Sequence, residues 1–110
     1  MMNALVELHL ATSGLEAQRM KATATTQLDN DRVTVTEWRF APGDETSFHV
    51  HAFDYVVVPL TTGTLRLELP TATKESHLEV GVSYANVAGT AHNVVNTNDY
   101  EFSFIEIELK

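Results

Sequence analysis

Apolar and polar residues alternate with a period of two along most of the chain, the spacing of a β-strand with one buried face. The segment Arg32–Phe40 shows this most plainly, with Val33 and Val35 on one face and Trp38 and Phe40 on the other. No amphipathic stretch of helical period stands out. The other predicted strands are Leu5–Leu10, Met20–Leu28, Phe48–Val58, Thr64–Leu69, Val82–Val87, Ala91–Asn96 and Tyr100–Leu109.

Short strands separated by Gly, Pro and Asn turns predict an all-β sandwich or barrel. A chain of 110 residues fits one domain, 1–110, rather than two. We expect residues 32–109 to form the barrel, and residues 1–28 to supply N-terminal strands that pack on it or make dimer contacts. Tyr55–Val58 is apolar on both faces, so the same N-terminal strands or a second subunit must cover the surplus. The residues predicted to line the barrel are Phe48, Phe53, Phe102 and Phe104.

The net negative charge of the chain argues against some classes of partner. Fifteen acidic side chains against seven Lys and Arg give a formal charge of −8, which repels phosphate backbones and anionic lipids. We therefore expect neither a nucleic-acid partner nor a membrane partner. The absence of cysteine excludes disulfides and thiolate metal sites. No signal peptide or membrane span is evident, and a cytoplasmic location is expected.

Two histidines on a predicted strand suggest metal chemistry. His49 and His51 are two residues apart, so the alternation of side chains places both imidazoles on one face. His92, at the start of a strand in the second half of the chain, is the best placed third ligand. His9 and His77 have no predicted catalytic role, and His77 is expected in a loop.

Glycines around these histidines complete two motifs. The first reads Gly43-DETSF-His49-Val50-His51-AFDYVVVPLTT-Gly63, and the second reads Gly81-VSYAN-Val87-Ala88-Gly89-TA-His92-NVV-Asn96. Their order and spacing resemble the two conserved motifs of the cupin superfamily, over about half the chain. The resemblance implies a double-stranded β-helix, that is, a jelly-roll barrel. It also implies that His49, His51 and His92 bind one metal ion.

The chain departs from the cupin pattern at two positions. Val87 stands where the family has proline, and the metal-binding glutamate of the family is missing. The position of that glutamate falls on Tyr55 or Val56, depending on the end from which it is counted. Asp54 is adjacent but points to the opposite face unless a bulge turns it round. Tyr55 either fills the vacated volume or presents its hydroxyl to a substrate.

Three neutral imidazoles leave the full charge on a divalent ion and at least one coordination position open. Such ligands suit Fe(II) or Zn(II), with Ni and Cu as further options. The pattern resembles that of β-diketone-cleaving cupin dioxygenases, which implies oxygenolytic C–C cleavage of a small β-dicarbonyl or similar enolisable substrate with Fe(II). The alternatives are Zn(II)-dependent hydrolysis at the same site and a cupin that binds a small molecule without turnover. We expect a homodimer.

Overall fold

The computed structural model describes residues 19–110, and all the regular structure in this range is β-strand. Within the same range there is no helix that could span a membrane. The nine strands are β1 (Thr23–Asp29), β2 (Val33–Phe40), β3 (His49–Val50), β4 (Asp54–Pro59), β5 (Gly63–Glu68), β6 (Thr73–Leu78), β7 (Tyr84–Asn86), β8 (Ala91–Val95) and β9 (Phe102–Leu109).

The strands form two antiparallel sheets whose inner faces enclose the core. One sheet has the order β1-β2-β9-β4-β7 and the other the order β3-β8-β5-β6. The predicted all-β barrel is thereby confirmed. Since side chains alternate across each strand, every second residue of β2, β4 and β9 points inward. The buried apolar side chains that pack together in the core are those of Phe40, Tyr55, Val57, Leu65, Leu78, Val94, Phe102 and Phe104.

The segment predicted as one strand, Phe48–Val58, is divided. β3 pairs with β8 in the four-stranded sheet, whereas β4 pairs with β9 and β7 in the five-stranded sheet. The chain crosses between sheets at 51–53, which is a corner of the barrel. Phe53, in this corner, is 40% exposed, and Phe48, which alternates with the inward-facing His49, is 54% exposed, so the prediction that they line the barrel is wrong. Phe102 and Phe104 are buried as predicted.

Strand β6 was not predicted, because five of its six residues are polar and give no apolar alternation. It pairs along its full length with β5, and His77 lies opposite Thr64 in the register. The expectation that His77 lies in a loop is therefore wrong. Its ring nitrogens contact Thr64 Oγ1 at 3.1 Å and Glu79 Oε2 at 2.9 Å, on the exposed surface.

The predictions for residues 1–28 can be compared with the structure only from residue 19 onward. Leu5–Leu10 and His9 lie outside the described residues. The predicted strand Met20–Leu28 appears as β1, which pairs with β2 at the edge of the five-stranded sheet. Every residue of β1 is exposed.

A polar cluster beneath β8 ties the segment before β1 to the barrel. Glu45 accepts hydrogen bonds from Arg19 Nη1 (3.1 Å), Lys21 Nζ (2.8 Å) and Asn93 Nδ2 (2.8 Å). Arg19 and Asn93 also donate to the carboxylate of Glu68. Burial alone would raise the pKa of Glu45, but the hydrogen bonds from Lys21, Asn93 and Arg19 lower it to about 2.

The depressed pKa makes Glu45 a source of acid sensitivity. Its stabilising contribution is complete above the ordinary pKa of 4.5 and disappears as the pH falls towards 2. We expect Glu45→Gln to lower the free energy of unfolding by about 2 kcal/mol at pH 7, allowing for the solvent exposure of Lys21. At pH 2 the variant and the wild type should be equally stable. Urea unfolding across this range measures the difference, and a deficit that persists unchanged at pH 2 would refute the assignment.

Candidate metal centre

The two sequence motifs converge on the inner face of the four-stranded sheet. His49 lies on β3, His51 follows it, and His92 lies on β8 directly opposite His49 in the antiparallel register. His51 and His92 are buried, and His49 is half-buried. The alternation predicted for His49 and His51 places both rings beside that of His92, with ring centroids 4.7 to 5.1 Å apart in all three pairs.

Backbone hydrogen bonds also join the two motifs beyond the end of β3. The amide of His51 donates to the carbonyl of Thr90 (2.9 Å), and the amide of Gly89 donates to the carbonyl of His51 (2.8 Å). Gly89 has a φ of +91°, a conformation that residues with side chains resist. The turn before β8 therefore favours glycine at this position, and this turn places His92 beside His51.

The donor atoms fit a single metal ion. His51 Nε2 lies 3.1 Å from both His49 Nε2 and His92 Nε2. Metal–imidazole bonds of about 2.1 Å place neighbouring nitrogens about 3.0 Å apart at octahedral angles and about 3.4 Å apart at tetrahedral angles. The observed spacing lies between these values. The three histidines therefore form a group that could hold a metal ion.

The backbone at Ser47 fixes how His49 presents its ring. Ser47 has a φ of +81°, and its carbonyl oxygen lies 2.8 Å from His49 Nδ1. A carbonyl only accepts hydrogen bonds, so Nδ1 donates to it and Nε2 is turned towards the other two histidines. A left-handed conformation is strained at a residue with a side chain. At Ser47 this strained conformation goes with the hydrogen bond that orients His49, a candidate metal ligand.

Burial keeps the other two imidazoles neutral. The apolar surroundings, and secondarily the neighbouring His49, lower the pKa of His51 to about 4. Burial likewise lowers the pKa of His92 to about 4, aided by His49, His51 and Lys74. A neutral imidazole is the form that binds metals, so both rings are in the binding-competent state at neutral pH.

Tyr55 and Asp54 occupy opposite faces of β4. The Tyr55 ring stacks on His51 with centroids 3.8 Å apart and an angle of 16° between planes. Its hydroxyl accepts a hydrogen bond from Asn86 Nδ2 at 3.2 Å. Asp54 is exposed and accepts from the amide of Ala88 at 2.8 Å. Asp54 thus stabilises the turn before Gly89 and does not approach the histidines.

The carboxylate nearest the triad was missed at the sequence level. Glu106 Oε2 lies 3.8 Å from His51 Nδ1, on the side of the ring away from the other histidines, and Trp38 Nε1 donates to Oε1 at 3.4 Å. Burial, reinforced by Glu108, raises the pKa of Glu106 to about 7. An available signal was its place on β9, where it continues the inward face of Phe102 and Phe104. Glu106, Glu108 and His51 form a second group of possible metal ligands.

A cavity of about 240 Å³ adjoins the histidines. Drug-sized ligands occupy pockets of about 300–1,000 Å³, so this cavity suits a smaller molecule. Polar residues also line it, among them Thr46, Lys74, Glu75, Ser76, Tyr84 and Glu106. Its apolar wall consists of Val57, Leu65, Leu67, Leu78, Val94 and Phe104.

Known proteins resemble this chain in sequence and in fold. No protein-family model matches the chain. The beta-alanine degradation protein BauB of Pseudomonas aeruginosa is 52% identical over 92 residues, which cover 84% of this chain and 97% of the relative. A cupin domain protein of Bordetella pertussis Tohama I, solved as a crystal structure, is 56% identical with a TM-score of 0.83, over 84% of this chain and 97% of that one. The polyketide cyclase RemF of Streptomyces resistomycificus shares the fold alone, with 23% identity and a TM-score of 0.63 over 84% of this chain and 69% of its own.

Proposed function

This chain belongs to the cupin superfamily, and from that premise we propose that it is a metal-dependent enzyme acting on small enolisable β-dicarbonyl compounds. The observation that carries the proposal is the convergence of three imidazoles beside a small cavity, with His51 Nε2 lying 3.1 Å from Nε2 of both His49 and His92. A divalent ion held there, which we propose to be Fe(II), would supply a Lewis-acidic centre with positions open to substrate oxygens and O₂.

The proposed reaction is oxygenolytic C–C cleavage. A β-dicarbonyl R–CO–CH₂–CO–R′ and one O₂ give the acid R–COOH and the α-oxo aldehyde OHC–CO–R′. The bond between the first carbonyl carbon and the CH₂ carbon breaks, one oxygen atom enters each fragment, and O₂ is the oxidant. The relative BauB is named for beta-alanine degradation. Transfer of the amino group of a 3-amino acid to an acceptor 2-oxo acid leaves a 3-oxo acid, which is itself an enolisable β-dicarbonyl compound.

The side chains around the cavity supply orientation and exclude water. The Ser47 carbonyl holds His49 with its Nε2 atom towards the site. Glu106 Oε2 lies behind His51, 3.8 Å from Nδ1, which is beyond hydrogen-bond distance, so Glu106 does not hold this ring directly. The apolar wall lowers the local dielectric, so charge–charge attraction within the cavity is stronger than in water.

We propose a substrate contact for the Tyr55 hydroxyl, which lies at the cavity and is bound by Asn86. Tyr55→Phe keeps the ring that stacks on His51 and removes only the hydroxyl. We expect metal affinity and stability to change little, and kcat/KM to fall about tenfold through loss of one hydrogen bond. Steady-state kinetics of metal-loaded protein measures this. Unchanged kinetics would instead assign Tyr55 to packing.

Oxygen consumption tests the proposal. Fe(II)-loaded protein is mixed with acetylacetone or 3-oxobutanoate in an oxygen electrode, with His49→Ala protein and protein-free Fe(II) as controls. We expect one O₂ per substrate, and one ¹⁸O atom from ¹⁸O₂ in each product. Conversion of acetylacetone to acetate and acetone, or of 3-oxobutanoate to two acetates, by Zn(II)-loaded protein without O₂ uptake would establish the hydrolytic alternative. Absence of reaction with either metal would overturn the enzymatic proposal and favour a binding protein.

The homodimer and the cytoplasmic location stay predictions. For the dimer, β1 offers an edge whose outer backbone groups have no partner strand among residues 19–110. Sheet edges of this kind are sites where further strands can add.

A further inference from the structure

Strand β6 borders the cavity with its inward residues Lys74, Ser76 and Leu78. Lys74 lies opposite Leu67 in the register, and Ser76 lies opposite Leu65. Both leucines belong to the wall of the same cavity. Lys74 is exposed, whereas Leu78 is buried, so this face runs from the mouth of the cavity into its interior. A charged group therefore stands at the entrance.

Lys74 is the one cationic side chain among the described residues that line this cavity. Within residues 19–110, Lys21, Arg39, Arg66 and Lys110 each contact a carboxylate, and Lys74 contacts none. The acidic residues Glu75 and Glu106 also reach the cavity. An incoming anion would therefore meet a single cation that is not already neutralised by a protein carboxylate.

Lys74 shares its cavity with the metal-binding end. Lys74, His49 and His92 all line this cavity, whose volume is about 240 Å³. A small substrate can then face the histidines and the ammonium group at the same time.

We infer that Lys74 is a specificity-determining residue that binds the carboxylate of an anionic substrate while the substrate carbonyl faces His49, His51 and His92. The site would then prefer 3-oxo acids to neutral β-diketones. This inference rests on the proposed function for the identity of the reacting group. An ammonium group suits the role, since it is a compact charge on a flexible stem that follows its ligand.

Binding of malonate tests the inference without turnover. Malonate carries two carboxylates and resembles a 3-oxo acid, and acetylacetone is the neutral probe. Isothermal titration of Zn(II)-loaded protein with each probe compares the wild type with Lys74→Gln, Lys74→Arg and the control Lys110→Gln. Lys110 pairs with Asp29 and lies outside the cavity lining.

We expect Lys74→Gln to weaken malonate binding about fivefold, as loss of a partly exposed ion pair would, and to leave acetylacetone binding within about twofold. Lys74→Arg and Lys110→Gln should bind both probes as the wild type does. Equal affinities of Lys74→Gln and the wild type for malonate, parallel losses for both probes, or no malonate binding by the wild type would each overturn the inference.

The outcome is separable from that of the proposed function. If malonate binding depends on Lys74 but no substrate is turned over, the anion site stands and the enzymatic proposal fails. If substrates are turned over but Lys74→Gln leaves the preference for 3-oxobutanoate over acetylacetone unchanged, the enzymatic proposal stands and the role of Lys74 fails.

Discussion

Replacement of His92 by alanine is expected to reduce the affinity for a divalent metal ion by at least about a hundredfold, more than the loss of an outer-shell partner costs. His92 supplies one of the three convergent Nε2 atoms, and its register opposite His49 leaves no neighbouring imidazole to replace it. Competition titration against a chelator of known affinity measures the change. Protection against heat should follow, since a ligand that binds only the native state stabilises it.

The choice of His92 separates the two groups of possible ligands. His51 belongs to both groups, whereas His92 belongs only to the histidine triad and Glu108 only to the second group. Glu108→Gln should therefore leave the metal affinity unchanged. His77→Ala is a matched control on the exposed surface of β6. A loss of affinity in Glu108→Gln, with none in His92→Ala, would place the ion at the carboxylates and refute the triad.

Asn96 is expected to give the largest loss of folding stability. Its side chain is fully buried, and its amide nitrogen donates to the carbonyls of Phe40, Ala41 and Tyr100 at 2.9 to 3.3 Å. Its oxygen accepts from the backbone and side-chain nitrogens of Asn98. One side chain thus joins the end of β2 to the loop between β8 and β9.

We expect Asn96→Ala to lower the free energy of unfolding by about 3 kcal/mol, because buried carbonyls lose their hydrogen-bond donor and a cavity is left. Asn96→Asp should be similarly destabilising, since a carboxylate cannot donate to those carbonyls. Thr97→Ala, at the exposed neighbouring position, should cost less than about 0.5 kcal/mol. Urea unfolding measures all three variants. A loss below about 1 kcal/mol for both Asn96 variants would contradict the structural role.

The histidine triad was predictable because it depends on local rules. Side-chain alternation places His49 and His51 on one face whatever their surroundings, and the spacing of the glycines selects His92. The missing glutamate was also readable, since Tyr55 and Val56 occupy its slot and Asp54 follows the alternation outward.

The rest of the site depends on packing between distant segments. Alternation along β9 places Glu106 on the inward face, but its position 3.8 Å from His51 depends on contact with a distant segment, which the sequence of β9 does not reveal. Lys74 lies on a polar strand, so apolar periodicity gave no sign of β6. Phe48 was misplaced because it alternates with the inward-facing His49 and so points outward. Phe53 was misplaced because it lies where the chain changes sheets between β3 and β4.

The central claim is that three imidazoles, and no carboxylate, hold one divalent ion. Anomalous diffraction at the metal absorption edge, from crystals of metal-loaded protein, tests it most directly. We predict one strong peak about 2.1 Å from the Nε2 atoms of His49, His51 and His92. No carboxylate oxygen of the chain should lie within bonding distance of that peak. A peak between Glu106 and Glu108, an Asp54 oxygen bound to the ion, or no peak at the triad would contradict the account.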